Sequence, residues 1–367
     1  MKNAIPAKFA IVFISLCFFS LQQFAQTPTP SPKIDDDIIK VESRLVVVPV
    51  AVTDSDGQPV LGLKASDFKI AEENRPQTIE NLGTADVVPL EIALLFDISA
   101  STDAMFKFEQ ETAAKFLKEV MRPIDRATVF TIGQRGVLVQ PRDSSEKTAA
   151  SIRSISPTKE QTAFYDSVRL AADYLNKNAP QGTRRVIVII SDGEDTASEG
   201  IIKAIWNAER NISDSVQGQE LRALRVKARD SAKVVEQNKV VKSLQNADTV
   251  FYSINPAGSS YLLNTISVFG QQNMQKFADE TGGTAFLPKF LPVDTTDPYQ
   301  NENGMKKNQA MLELIFRQLA SELRSQYLIQ YYSETDFPIG RFVKLDVKLQ
   351  GHPGAKVRSR DGYFVKN

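Results

Sequence analysis

Histidine, cysteine and tryptophan are all but missing from this chain, with one of each in 367 residues, and each scarcity closes a route. His352 stands between Gly351 and Pro353 and reads as a turn residue, so neither a histidine-rich zinc site nor a Ser-His-Asp triad is available. No Gly-Xaa-Ser-Xaa-Gly turn and no Walker-type phosphate loop is present either, which argues against hydrolase or nucleotide chemistry. Cys17 falls in the first apolar stretch, so a chain that has lost this stretch has no disulfide and no thiol chemistry. Trp206 reads as a packing residue. Net charge is absent as well: 44 Lys and Arg balance 44 Asp and Glu, which removes any global pull toward nucleic acid or an anionic membrane. What remains is an ordinary globular composition, 42% hydrophobic and 24% charged, long enough for two domains.

Lys2 and Lys8 precede an almost unbroken apolar run from Phe9 to Leu21, followed by Gln22, Gln23 and small residues near Ala25. That is the layout of a secretory leader, short for a membrane span, and it predicts a signal peptide over 1–26 and a secreted or periplasmic protein without a span in the mature chain. Pro28, Pro30 and Pro32 then make 27–42 an extended linker. Residues 43–86 read as short strands: Arg44 to Thr53 is rich in valine and stops at Asp54-Ser55-Asp56-Gly57, and Phe68 to Ala71 with Thr78 to Leu82 suggests a hairpin around Glu73-Asn74-Arg75-Pro76. Residues 325–367 behave alike, with strands over Gln326 to Tyr332, Val343 to Leu349 and Lys356 to Val365. Neither end has enough strands to stand alone, so the two are expected to pair into one sandwich-like module.

Between them, 87–324 alternates apolar strands with amphipathic helices. Leu90 to Phe96, Thr128 to Ile132, Val186 to Ile190 and Thr249 to Ile254 are near-continuous hydrophobic runs, the pattern of strands covered on both faces. Met105, Phe108, Phe116 and Val120 recur at helical spacing, as do Phe164, Val168, Ala171, Ala172 and Leu175, and Leu312, Ile315, Leu319 and Leu323. The expected fold class is therefore α/β, a doubly wound, mostly parallel sheet, with the small β module flanking it. Ligands of such sheets sit beyond the carboxyl ends of the strands.

Two of those ends carry carboxylates. Asp97-Ile98-Ser99-Ala100-Ser101 follows the first run, placing one carboxylate and two hydroxyls at alternate positions, and Ile190-Ser191-Asp192-Gly193 follows another. Hard oxygen donors in this number suit a small divalent cation. The chain here resembles a von Willebrand factor type A domain carrying a metal-ion-dependent adhesion site, and specifically a secreted bacterial subgroup with flanking β segments. In that family an Asp-Xaa-Ser-Xaa-Ser loop, a Thr from a second loop and an Asp from a third share one ion. Asp97, Ser99 and Ser101 match the first, Thr162 in Gln161-Thr162-Ala163-Phe164-Tyr165-Asp166 the second, and Asp192 the third. The resemblance implies a Rossmann-like domain holding Mg2+, or another divalent cation such as Mn2+ or Ca2+. It also implies a non-enzymatic adhesion role in which a carboxylate from a protein or matrix partner completes the coordination. Thr158 is a second candidate for the Thr position, Ser191 and Gly193 read as turn residues, and Glu194 and Asp195 as a solvated loop.

Alternatives remain open at this point. An Asp at a strand end can accept a phosphoryl group, although Ser99 stands where such hydrolases resemble one another in having a second Asp, and a metal could also serve only to rigidify loops. Residues 201–246 depart from the family pattern: they read as helical throughout, with a mixed-charge face from Glu220 to Lys233 and an apolar stripe of Val234, Val235, Val240, Val241 and Leu244. Pro288 to Asn308 reads as a loop, and Gly282-Gly283 as a helix stop.

Overall fold

The structure, a computed structural model, describes residues 44–366 apart from 100–102, 159, 211, 213–215, 256–264, 290 and 292–297. The expected leader and linker lie outside the described residues, which all belong to one compact unit, Val41–Asn367. The first strands are β1 (Arg44–Thr53), β2 (Phe68–Glu72), β3 (Arg75–Gln77) and β4 (Asn81–Thr84). The middle of the chain runs β5 (Leu90–Asp97), α1 (Asp103–Val120), β6 (Arg126–Ile132), β7 (Gly136–Asp143), α2 (Ser145–Arg153), α3 (Phe164–Asn178), β8 (Arg184–Ile190), α4 (Glu199–Arg210), α5 (Gly218–Asn246), β9 (Thr249–Ile254), α6 (Thr265–Thr281), β10 (Ala285–Phe286) and α7 (Pro298–Ser325). It closes with β11 (Tyr327–Ser333), β12 (Phe342–Leu349), β13 (Lys356–Ser359) and β14 (Gly362–Phe364).

The central sheet has the order β10-β9-β8-β5-β6-β7 and is parallel except for β7, which runs antiparallel to β6 at one edge. Continuous burial from Leu90 to Phe96 follows from helices on both faces. Leu90, Ile92, Leu94 and Phe96 meet the apolar faces of α1 and α7, including Phe106, Phe116, Leu312 and Leu319. Ala93 and Leu95 point the other way, toward Phe164 and Val168 of α3, Val240 of α5 and Phe277 of α6. Each fully buried Leu, Val or Phe contributes roughly 1.5–3 kcal/mol, so these stripes fix the helices to the sheet. The doubly wound α/β class expected from the sequence is what is found.

The two chain ends form antiparallel sheets of orders β13-β1-β11-β4 and β14-β12-β2-β3. Val48 of β1 lies opposite Ile329 of β11, and Val347 of β12 opposite Ile70 of β2. Val46, Val48, Val50, Ile70, Ile329 and Val343 share one core. The flanking module is thus built from both ends of the chain.

Several local expectations are corrected. The hairpin after β2 turns at Glu73 and Asn74, with φ of 48° and 64°, so Arg75 and Pro76 belong to its second strand, while β4 joins the other sheet beside β11. Lys356 to Val365 is not one strand: it breaks at Arg360-Asp361 into β13 and β14, which serve different sheets. Residues 298–308 are helical rather than loop, and the side chain of Asn308 anchors α7 by donating to the Leu291 carbonyl and accepting from its N–H. Residues 201–246 are two helices, α4 and α5, packed on each other, and within α5 Val234 and Val235 face solvent whereas Lys233 is buried. Trp206 is 57% exposed on α4 with the Arg210 guanidinium over its ring, so it is not a core residue. The stop after α6 is as read: Gly282 has φ of +81°, and Gly283 N–H donates to the Ala278 carbonyl.

Candidate metal site at the carboxyl edge of the central sheet

β5 ends between β8 and β6, so Asp97 leaves the sheet at its centre. Ser99 holds it from one side: its N–H and its hydroxyl both donate to Asp97 Oδ1, at 3.0 and 2.6 Å. The hydroxyl of Ser191, wholly buried, donates to Oδ2 at 2.7 Å and accepts from Gly193 N–H at 3.0 Å. Each hydroxyl spends its hydrogen on the carboxylate and keeps oxygen lone pairs that can face a cation. Asp192 Oδ1 accepts from Glu194 N–H at 2.9 Å.

Backbone hydrogen bonds stitch the three loops together. Thr158 N–H donates to the Ile98 carbonyl at 2.6 Å, and Ala163 N–H to the Gly133 carbonyl at 2.8 Å, tying the second loop to the first and to the end of β6. Thr162 is buried; its carbonyl accepts from Thr196 and Ala197 N–H at 2.9 and 3.0 Å, and its own N–H donates to Thr196 Oγ1 at 3.0 Å. Second and third loops also cap each other's helices. Asp195 Oδ2 accepts from Tyr165 N–H in the first turn of α3, Ser198 Oγ accepts from Asp166 N–H, and Asp166 Oδ2 accepts from Glu199 N–H at the start of α4. These side chains satisfy orphan donors that a helix start leaves open. Asp195 is therefore a buried structural residue, not part of a solvated loop.

Glycine sets the position of Asp192. Gly193 has φ of +75°, and a Cβ on it would lie 2.4 Å from the Gly270 carbonyl oxygen; one on Gly270 of α6 would lie 2.4 Å from the Asp192 carbonyl oxygen. Only two glycines let α6 approach this closely.

The electrostatics follow from crowding acids in a dry corner. Burial pushes the Asp97 carboxyl above its ordinary range against the pull of the Ser99 and Ser191 hydrogen bonds. Burial and the Asp97 charge raise Asp192 to about 7, and the same two causes raise Glu109 of α1 to about 8. Asp195, raised by burial to about 6, adds to the acidity. No lysine or arginine pairs with Asp97, Asp192 or Glu109 among the described residues. A cation beside Asp97 would relieve Asp97, Asp192 and Glu109 together.

Of the residues read from the sequence, Asp97, Ser99 and Asp192 are brought to one place, Thr162 lies on the loop bound to both, and Ser101 is outside the described residues. Among the described residues no three His, Cys, Asp or Glu side chains form a metal-holding group, so the donor set fits a metal only with its hydroxyls included. Sequence reading missed Ser191, taken as a turn residue, and Glu109. Glu109 carried a signal: an acid in phase with Phe106, Ala113, Phe116 and Val120 on the buried stripe of α1.

The von Willebrand factor type A domain family matches residues 92–194, a stretch containing Asp97, Ser99, Ser101, Thr162 and Asp192. No curated protein matches the chain. Among solved structures, the conserved hypothetical protein BatB from Bacteroides thetaiotaomicron is 13% identical, with a TM-score of 0.33, over 60% of this chain and 99% of its own. The PilB minor pilin from Streptococcus sanguinis is 12% identical, with a TM-score of 0.41, over 66% of this chain and 63% of its own. Proximal thread matrix protein 1 from the mussel byssus, solved with its MIDAS motif occupied by zinc, is 11% identical, with a TM-score of 0.37, over 68% of this chain and 48% of its own.

Proposed function

We propose that this chain is a metal-dependent binding module, in which Asp97, Ser99, Ser101, Thr162 and Asp192 hold Mg2+, or Mn2+ or Ca2+, and a carboxylate of a protein or matrix partner occupies the remaining position. The observation that carries the reading is the pair Asp97 and Asp192. The charge of Asp97 raises the proton affinity of Asp192 and of a buried third acid, Glu109, and among the described residues no basic side chain is paired to any of them. The match to residues 92–194 supports it. Mg2+ takes near-octahedral oxygen coordination and keeps several waters, a demand that hydroxyls and carboxylates from three loops can meet. The under-neutralised dication then attracts an external acid, and the role is adhesive rather than catalytic. The working module is 87–324, with 43–86 and 325–367 as its β flank, exported behind the leader 1–26. No helix among the described residues is long and apolar enough to cross a membrane.

Calorimetric titration of Mg2+, Mn2+ and Ca2+ into chelator-stripped protein tests the site. A single saturable event that disappears in Asp97→Ala is expected, and its survival in that variant overturns the reading. Capture of proteins from the exported fraction with and without chelator then tests the partner: retention that ignores the chelator defeats the carboxylate-on-metal mode.

A further inference from the structure

A cleft of about 1340 Å³ opens at the opposite edge of the central sheet, between its amino-terminal strand ends and the outer face of β1 and β11. Arg184 and Arg185 begin β8 and line one wall with Lys177 of α3; Leu45 and Val47 of β1 line the other. Because Val46 and Val48 turn into the sandwich core, Leu45 and Val47 turn outward and remain 50% and 38% exposed. Ile339, 68% exposed, sits at the rim.

Charge in this cleft is out of balance. Six cationic side chains line it against two carboxylates, Asp248 and Asp336. Asp248 is already shared by Arg360 and Lys366. Arg184, only 8% exposed, donates to the Leu323 carbonyl and to Gln326 Oε1, each at 2.8 Å; Arg185 donates to the Ala247 and Ala179 carbonyls at 2.9 and 3.3 Å and to Asn176 Oδ1 at 3.4 Å. All of these acceptors are neutral, and the Nε atoms of Arg184 and Arg185 are buried without a hydrogen-bond partner among the described residues. Burial pushes Arg184 down to about 10, with the nearby Asp125 and Asp86 charges offsetting only part of that cost. A guanidinium hydrogen-bonded only to neutral groups among the described residues, as that of Arg185 is, gains when an anion arrives.

We propose that this cleft binds an acidic polypeptide segment of a partner, its carboxylates facing Arg44, Lys177 and Arg185 and its apolar side chains covering Leu45, Val47 and Ile339. The volume exceeds the roughly 300–1,000 Å³ of small-molecule pockets, and a bare anion would leave the apolar wall wet. A single-stranded nucleic acid would stack its bases on aromatic platforms, whereas the cleft's Phe337 and Tyr363 are buried and its Phe364 packs against Phe342. This site lies across the sheet from Asp97 and does not depend on a metal there.

The test uses the full chain and a fluorescein-labelled octapeptide of alternating aspartate and leucine, followed by anisotropy, with the asparagine-for-aspartate peptide and inorganic phosphate as comparators. Saturable binding of the acidic peptide is expected, weakened about tenfold by Arg185→Gln and by Leu45→Asp, and unchanged by chelator or by Asp97→Ala. Lys177→Gln, an exposed change on α3, carries the test if Arg185→Gln fails to fold. Equal binding of the neutral peptide, indifference to Lys177→Gln, or displacement by phosphate at concentrations equal to the peptide overturns the proposal. Loss of binding with chelator places the peptide at the metal edge and overturns it too, whereas failure of metal binding alone leaves it standing.

Discussion

Glu72 and Glu109 are equally buried, each 1% exposed, and their surroundings differ in a way that separates structure from function. In the sandwich, Glu72 accepts from Tyr331 and Tyr363 hydroxyls at 2.9 and 2.5 Å and from Ser333 at 2.7 Å. Its two oxygens are fully engaged by donors from β11 and β14, so the acid acts as a clamp joining the two sheets. In the α/β layer, Glu109 has no hydrogen-bond donor among the described residues and instead feels the charge of Asp97. A fold tolerates a buried acid in the first way for stability's sake; the second arrangement is unfavourable for the protein alone and becomes useful only when something positive binds.

The largest expected effect breaks the comparison on the structural side. Glu72→Ala removes the acceptor of three buried hydroxyls and leaves a cavity, and it should lower stability by about 3–5 kcal/mol. Denaturant titration would show a reduced midpoint while Mg2+ affinity stays within twofold of the parent. A loss of metal affinity would mean that the sandwich and the carboxyl edge are coupled, and the contrast would fail.

Asp97→Asn should do the reverse. It removes one of several mutually repelling acids while keeping the shape, so the metal-free protein should gain about 1 kcal/mol as its Mg2+-induced stabilisation vanishes. At a hundredfold excess over Kd that stabilisation amounts to about 2.7 kcal/mol in the parent. Thermal melts with chelator and with Mg2+ give both quantities. A metal-free melting point that falls in Asp97→Asn would mean that the Ser99 and Ser191 hydrogen bonds outweigh the repulsion.

The pH profile sharpens the same distinction. Asp192 and Glu109 have folded-state values of about 7 and 8, above ordinary values of 3.8 and 4.5. An acid whose value is raised on folding binds its proton more tightly in the native state, so its contribution is complete below pH about 4 and is lost as pH rises through 7 to 8. Metal-free protein should therefore melt lower at pH 8 than at pH 5, and saturating Mg2+ should flatten that slope. A metal-free stability that rises over this interval contradicts the assignment.

Much of this architecture could be read from the chain, for physical reasons that also explain the misses. β5, β6, β8 and β9 are dry on both faces and announce themselves as near-continuous apolar runs. β7 does not, because an edge strand with Val137, Leu138 and Val139 all half-exposed has no such run and carries Pro141. The junction at Arg360-Asp361 was invisible since both halves are strands, and only pairing reveals that they belong to different sheets. Asp97, Ser99 and Asp192 could be picked out by their places after apolar runs, whereas Thr162 was reached only through the family resemblance. Ser191 was missed, since a serine before a turn looks the same whether its hydroxyl meets water or Asp97.

The smallest expected effect asks whether Glu109 belongs to the site or only lies beneath it. Glu109→Gln keeps the shape of the side chain and removes its charge. Below pH 7 the folded parent's carboxyl is mostly protonated, so variant and parent should match in Mg2+ affinity, whereas their stabilities match only below pH about 4 and the metal-free variant gains on the parent as pH rises toward 8, because the unfolded parent ionises first. Above pH 8 the folded parent becomes ionised and the affinities should diverge: the variant binds Mg2+ about tenfold more weakly, the order expected of one charge and a dication several ångströms apart even at the dielectric of water. Affinities that agree at pH 9 would make Glu109 a core residue like Glu72, only without partners. A divergence confined to alkaline pH would make it a reserve of negative charge behind Asp97 that strengthens the grip on the cation without touching it.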